Sequence, residues 1–321
     1  MKHRAGLFLT AAVATTVCAG AAWSHSPTAA PAEGWIRSSP SGVSDADRSA
    51  MEQRLSQVAY RIRVRNADLC AGANTRLLGL VSTFSDSAFS YDAAQPNEPL
   101  TISWVIPGGP AAGSGLREGD RILEIDGDPL PFEPAALDEL NDRLRGYGTD
   151  VVSLGIERAG SRSRVDISPA AACDYQVELS ESQDVEAFAE QRHAVISEGM
   201  LTLLPRDEQL AVVVGHELGH IAAGHTQHGV DPSKRMEAEA EADYIGAYLT
   251  ARAGYDISGA ADVLRRVVAA RHGGSVDAGS MADIAPRFRA IEAATDEIAA
   301  KRTLGENLYP SSERLLHHAW N

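Results

Sequence analysis

Apolar positions change their period along the chain, and the changes divide it. Met51, Leu55, Val58 and Ile62 recur at helical spacing behind Ser44 and Asp45, either of which can cap, so a helix is predicted from Ser44 to about Arg65. Short runs rich in β-formers follow: LLGLVSTF, LTISWVIPGG, RILEIDGDPL, DVVSLGIERAG and RVDISP, cut by Pro-Gly-Gly-Pro, Gly-Asp, Asp-Gly and Ala-Gly turns around one helical stretch, PAALDELNDRLRG. That pattern predicts a small β-barrel-like unit. From Cys173 onward the period becomes helical, with Ala194-Val195-Ile196 as the best strand candidate and a helix ending near Leu204. DEQLAVVVGHELGHIAAGH, starting at Asp207, is apolar nearly all round and predicts a buried helix. Further helices are expected from Ser233 to Arg252, from Ser258 to His272 and over APRFRAIEAATDEIAAKR. The fold class is therefore α+β, a mainly helical domain with a smaller β-rich one inserted.

Composition narrows the function classes. The 321 residues are 44% hydrophobic and 23% charged, ordinary for a globular chain with room for two domains. A net charge of -15 with no Lys/Arg-rich run excludes nucleic acid as the expected partner. MKHR followed by AGLFLTAAVATTVCAGAA has the basic start, apolar stretch and small residues of a secretory signal peptide, assigned to residues 1–22, with cleavage at Ala19-Gly20-Ala21. The chain is thus expected in the periplasm or cell envelope. Lipid attachment at Cys18 is disfavoured by Val17, and membrane association is expected only if the segment is retained or lipidated. Residues 23–43, rich in Pro, Ser, Ala and Gly, read as a flexible leader. Removal of the signal leaves Cys70 and Cys173, an even pair that predicts a disulfide in an oxidising compartment and would clamp the neck of the inserted module.

The chemistry concentrates in HELGH, residues 216–220. On a helix His216 and His220 lie about 40° apart and about 6 Å along the axis, so both imidazoles can face one ion. Glu217, one step round, stands beside such an ion as the base for its water. Catalytic zinc keeps three protein ligands, so a third is needed. Glu237, Glu239, Glu241 and Asp243 are the candidates, and periodicity does not choose among them: Ala238, Ala242, Ile245 and Leu249 mark a buried stripe that Glu239 and Glu241 flank at similar angles.

Two resemblances add to this reading. VIPGGPAAGSGLREGDRILEIDG is similar to the central block of bacterial PDZ domains over roughly residues 76–169. It implies that a loop at Leu78, Gly79, Leu80 and Val81 offers backbone N–H groups to peptide C-termini, with the peptide added as a strand. HELGHIAAGH followed by EAEADYIGAYLTARAGYD resembles the HtpX-like, CAAX-prenyl-protease-like and Oma-like zinc metallopeptidases, gluzincins of zincin type, over about residues 44–300. That resemblance implies Glu239 as third ligand to one zinc per chain and Asp243 as the partner that fixes a ligand histidine's tautomer. The expected division is a helix on the peptidase domain at 44–72, a PDZ-like domain at 73–170 and a zinc metallopeptidase domain at 171–321. Many relatives carry a His-Pro pair six residues before a C-terminal Arg; counting back from Arg287 gives Met281, and Glu186-Ala187 stands where they often have Asn-Ala. Arg287 and His272 are candidate helpers for the oxyanion, whereas His193, His225, His228, His317 and His318 read as solvent-exposed. The expected function is a zinc-dependent endopeptidase acting on unfolded or misassembled envelope polypeptides, which would lie beside a strand edge near residues 186–197. The alternative is an envelope peptide-binding or chaperone module with a vestigial or structural zinc site.

Overall fold

A computed structural model describes residues 43–70, 74–83, 98–132, 135–145, 151–274 and 278–311. The signal peptide, nearly all of the leader, His317 and His318 lie outside these residues.

Helix α1 (Asp45–Arg65) starts where Ser44 accepts the N–H of Asp47, with Asp45 and Asp47 in the first turn and Arg63 and Arg65 in the last, the charge order that a helix dipole favours. Its apolar stripe, Leu55, Val58, Ala59 and Ile62, is buried. The chain then enters β1 (Asn74–Leu77) and a β-rich body: β2 (Leu80–Thr83), β3 (Leu100–Val105), α2 (Pro110–Ser114), β4 (Arg121–Ile125), β5 (Asp128–Pro129), α3 (Ala135–Arg145), β6 (Val152–Arg158) and β7 (Ser161–Ile167). These strands form one sheet in the order β2-β3-β4-β6-β7, with β5 beside β4. Leu100, Ile102, Ile122, Leu140, Leu154 and Ile156 close its core, the inward half of each alternating strand together with one face of α3. Strand β8 (Ala170–Cys173) returns antiparallel to β1, Asn74 opposite Cys173, and the Cys70–Cys173 disulfide, with Cα atoms 5.3 Å apart, closes this two-stranded neck.

Beyond the neck, β9 (Gln176–Ser180), β10 (Ala187–Glu190) and β11 (His193–Ser197) make a second sheet in the order β10-β11-β9, with β11 parallel to β9 and antiparallel to β10. Helices α4 (Glu198–Leu203), α5 (Asp207–Ala222), α6 (His225–His228), α7 (Arg235–Arg252), α8 (Ala260–Arg271), α9 (Ala278–Asp283) and α10 (Ala285–Leu304) complete the chain. The short α9 and strand β9 have no counterpart in the sequence-based expectation. Arg48 bonds the fully buried Glu198 at 2.7 Å, Arg54 reaches Asp207 and the Leu204 carbonyl at 2.7 Å each, and the Asn66 amide donates to the Leu249 carbonyl at 2.9 Å. Helix α1 is thereby tied to α4, α5 and α7. No helix of the described residues is long and apolar enough to cross a membrane.

Candidate metal centre

Helix α5 is buried at every position from Gln209 to Ala222 except Val212, so its polar residues face protein. What they face is α7, and glycines set the separation. A Cβ on Gly246 would lie 2.7 Å from the Gly215 carbonyl carbon and oxygen and from the His216 nitrogen; one on Gly219 would lie 2.5 Å from the Ala242 carbonyl oxygen. Backbones can approach this closely only where side chains are absent. The crossing lays the N-terminal half of α7 along the histidine face of α5.

Three side chains from the two helices then converge. His216 Nε2 and His220 Nε2 are 3.1 Å apart, Glu239 Oε2 is 3.4 Å from the former, and Glu239 Oε1 is 3.5 Å from the latter. A tetrahedral ion with bonds of 2.0–2.1 Å has ligand-to-ligand edges of about 3.3–3.4 Å, so the three groups already stand at the corners that zinc requires. Among the described residues this is the group of histidine, cysteine and carboxylate side chains able to share an ion.

The outer atoms assign the tautomers. His216 Nδ1 is 2.7 Å from Asp243 Oδ1, and His220 Nδ1 is 3.0 Å from His225 Nδ1. With each Nδ1 carrying its proton outward, both Nε2 lone pairs and the Glu239 carboxylate point at one spot, an arrangement that a divalent cation satisfies. Glu217 is 1% exposed, and its Oε1 makes no hydrogen bond among the described residues. Burial pushes the Glu217 carboxyl up to about 7, so this group can hold or release a proton near neutrality. Burial also pulls His220 down to about 4; at His216 burial likewise lowers the ring, but the Asp243 and Glu239 carboxylates together hold it up to about 9. Burial alone would raise Glu239 and Asp243, but their imidazole partners and Arg287 hold both below the ordinary carboxylate range.

The remaining expected residues fare differently. Arg287, 2% exposed on α10, forms a two-point pair with Asp243 at 2.6 and 2.8 Å and reaches Glu239 Oε2 at 3.1 Å. Its guanidinium faces these carboxylates. His272 is exposed at the end of α8, its Nδ1 donating to the Val268 carbonyl at 2.9 Å. Its neighbour Arg271 instead turns toward the site: the Nε donates to the Val185 carbonyl at 2.8 Å and the charge acts on Glu217. His225 is not solvent-exposed as the sequence reading has it; its side chain is 13% exposed, between His220 and Glu241. The signal for it was Gly224, which ends α5 in a left-handed conformation (φ 74°) and folds the next residue back. His193 is half-buried beside Glu178 at 3.0 Å, and Met281 lies half-buried on α9. In the β-rich body, Leu78 belongs to the core and its carbonyl accepts from the Ala111 N–H at 2.8 Å. The Gly79 carbonyl accepts from Ile106, and Leu80 and Val81 lie on β2 opposite Val105 and Trp104, at the end of the sheet.

The chain matches two family descriptions, Peptidase family M48 over residues 157–231 and PDZ domain over residues 82–157. The first takes in HELGH and ends before Glu239, so the third ligand rests on the geometry above. No curated protein matches the chain. Among solved structures, the HtrA3 PDZ domain bound to a phage-derived ligand is 21% identical over 30% of this chain and 88% of that one, with a TM-score of 0.24. The HtrA-type protease AlgW with a decapeptide is 20% identical over 30% of either chain (TM-score 0.24). A PDZ domain protein from Parabacteroides distasonis is 25% identical over 30% of this chain and 20% of its own (TM-score 0.25). Likenesses at that level carry no argument about function. Over those two stretches the chain is similar to peptidase family M48 and to PDZ domains, and the structure draws the two histidines of HELGH together with a carboxylate from the next long helix.

Proposed function

We propose that this protein is a zinc-dependent endopeptidase of the cell envelope that cleaves unfolded or misassembled polypeptides, its PDZ domain capturing peptide C-termini along the β2 edge. The observation that carries the proposal is the spacing of the three ligand atoms, near-tetrahedral edges about one point, with the buried Glu217 on the helix that carries the two histidines. His216, His220 and Glu239 would hold the zinc, which supplies Lewis acidity toward a peptide carbonyl and makes a water acidic enough to ionise near neutrality. Glu217 takes up the proton at Oε1 and delivers it to the leaving amide nitrogen, a task matched to a carboxyl titrating near 7. Asp243 and Arg287 hold His216 and Glu239 in position.

The substrate would bind extended against β10, which pairs with β11 on one side and forms the outer strand of its sheet. Such an edge offers backbone groups to a partner strand without regard to sequence, which suits a protease for unfolded chains. Export to the envelope rests on the N-terminal segment and is supported by the Cys70–Cys173 disulfide.

The test is digestion of unfolded casein by the full mature chain. Wild type should cleave and lose activity to a chelator, whereas Glu217→Gln, with zinc still bound, should be slower by at least about 100-fold. Equal rates in the two proteins would remove Glu217 as the base. Peptide binding that persists in Glu217→Gln and in chelator, with no cleavage by wild type, would favour a holding function instead.

A further inference from the structure

One feature of the centre has no role in the proton chemistry above. Beyond His220, on the side away from the metal point, a histidine and a carboxylate stand in line. His220 Nδ1 is 3.0 Å from His225 Nδ1, and His225 Nε2 is 3.3 Å from Glu241 Oε2. The imidazoles of His220 and His225 meet edge to face, their centroids 5.2 Å apart. His225 is held there from both sides: Gly224 turns the chain back in a conformation that favours glycine, and Thr226 Oγ1 donates to the Gln191 carbonyl at 2.6 Å, pinning α6 to the turn between β10 and β11.

We propose that His225 and Glu241 position the His220 imidazole, His225 accepting the His220 Nδ1 proton and Glu241 accepting the proton on His225 Nε2. This deepens the metallopeptidase reading and rests on it. The direction of the relay follows from donor arithmetic. If His220 Nε2 is to offer its lone pair to a metal, its proton sits on Nδ1 and needs an acceptor. A neutral His225 accepts at Nδ1 only with its own proton on Nε2, and that proton points at a carboxylate. Each member is therefore in one tautomer, set from the Glu241 end. His216 reaches the same result more directly, through Asp243. The two ligand imidazoles thus have separate supports on α7, Asp243 for one and Glu241 for the other, on opposite flanks of the ligand Glu239. Outer partners of this kind orient the ring and raise its basicity, and removing one costs about 10- to 100-fold in metal affinity.

His225 does not touch substrate in this scheme, so the test must separate relay from packing. Two substitutions cross the alternatives. His225→Phe keeps a ring of similar size and loses the acceptor; His225→Asn loses the ring but keeps an oxygen near the position of Nδ1. Zinc affinity of the full mature chain is measured by competition with a chromophoric chelator, and the His220 tautomer by proton–nitrogen correlation spectra of the imidazoles. A relay predicts zinc binding weakened about 10- to 100-fold in His225→Phe, much less in His225→Asn, and a displaced His220 Nδ1–H resonance only in the former. Glu241→Ala, at a carboxylate 36% exposed and so tolerant of change, should weaken zinc by about threefold or more in the same assay. The proposal is overturned if Phe retains affinity while Asn loses it, if both bind as wild type does, or if Glu241→Ala leaves both readouts unchanged. A wild-type chain that binds no zinc would bring down the metal reading itself, an outcome distinct from wild-type binding with indifferent variants.

Discussion

The centre depends on two helices approaching backbone to backbone, and a single methyl group tests that dependence. Gly246→Ala places a Cβ 2.7 Å from the Gly215 carbonyl carbon and oxygen and from the His216 nitrogen. Carbon contacts are comfortable at about 3.5–4.0 Å, so α7 has to retreat from α5 by at least about 0.8 Å. Glu239 lies seven residues back on the same helix, about 10 Å along its axis, and moves with it, whereas zinc tolerates ligand distances only within about 0.2 Å. Overpacking of this kind costs about 1–3 kcal/mol, partly offset by about 1 kcal/mol of better helix propensity. The metal-free protein should therefore lose about 0–2 kcal/mol. Zinc binding carries the strain of re-closing the gap, about 1–3 kcal/mol or about 10- to 100-fold in affinity. Chelator competition reads the affinity, and thermal melts with and without zinc read the two stabilities separately. Gly259→Ala is the control, since a Cβ there meets nothing within 4 Å and its φ of -92° suits alanine. If Gly246→Ala binds zinc as tightly as wild type and the Gly259 control, the glycine crossing does not set the ligand geometry and the argument fails.

Other outcomes follow from the same structure. Asp243→Asn strips the buried Arg287 of its two-point partner and should destabilise the metal-free protein by about 3 kcal/mol; the same change should cut zinc affinity by about 10-fold or more, read by urea unfolding and by chelator competition. Replacing Cys70 and Cys173 by serine opens a loop with a sequence separation of 103 and should cost up to about 4.7 kcal/mol; an unchanged melting temperature would show that the neck needs no clamp. At Glu297 burial alone would raise the carboxyl, but Lys301 at 2.7 Å, the Ser311 hydroxyl, and the Tyr244 hydroxyl at 2.6 Å hold it down to about 2. Its folded value lies below its unfolded one, so this stabilisation is complete above the ordinary value of 4.5 and fades as pH falls from there toward 2. Discounted for partial exposure, it amounts to about 1 kcal/mol. The gap between the urea midpoints of wild type and Glu297→Gln should accordingly be full at about pH 6, narrow below 4.5 and close only near about pH 2; a gap that stays constant over that range would refute the assignment.

Much of this was legible in residue order alone, because the relevant physics is local. The His216/His220 pair follows from the pitch of a helix, the buried face of α1 from the spacing of Leu55, Val58 and Ile62, and the strands of the β-rich body from alternation broken by glycine turns. The cysteine pair was visible because only two remain once the N-terminal segment is set aside. Glu239 is a different case. Periodicity placed it and Glu241 on equal flanks of the buried stripe, and only the direction from which α5 crosses, set by the contacts of Gly215, Gly219 and Gly246, decides that one flank meets the metal point and the other meets His225. The pairing of Arg287 with Asp243 and Glu239 is not legible in residue order, since those partners sit on a helix more than forty residues away. His225 escaped because helix geometry continued past Ala222 would turn it to about the far side from His216, and the left-handed Gly224 cancels that continuation. Spacing within one helix is a property of the chain; which side chains share an ion is a property of how helices pack, and packing depends on contacts between residues that sequence order holds apart.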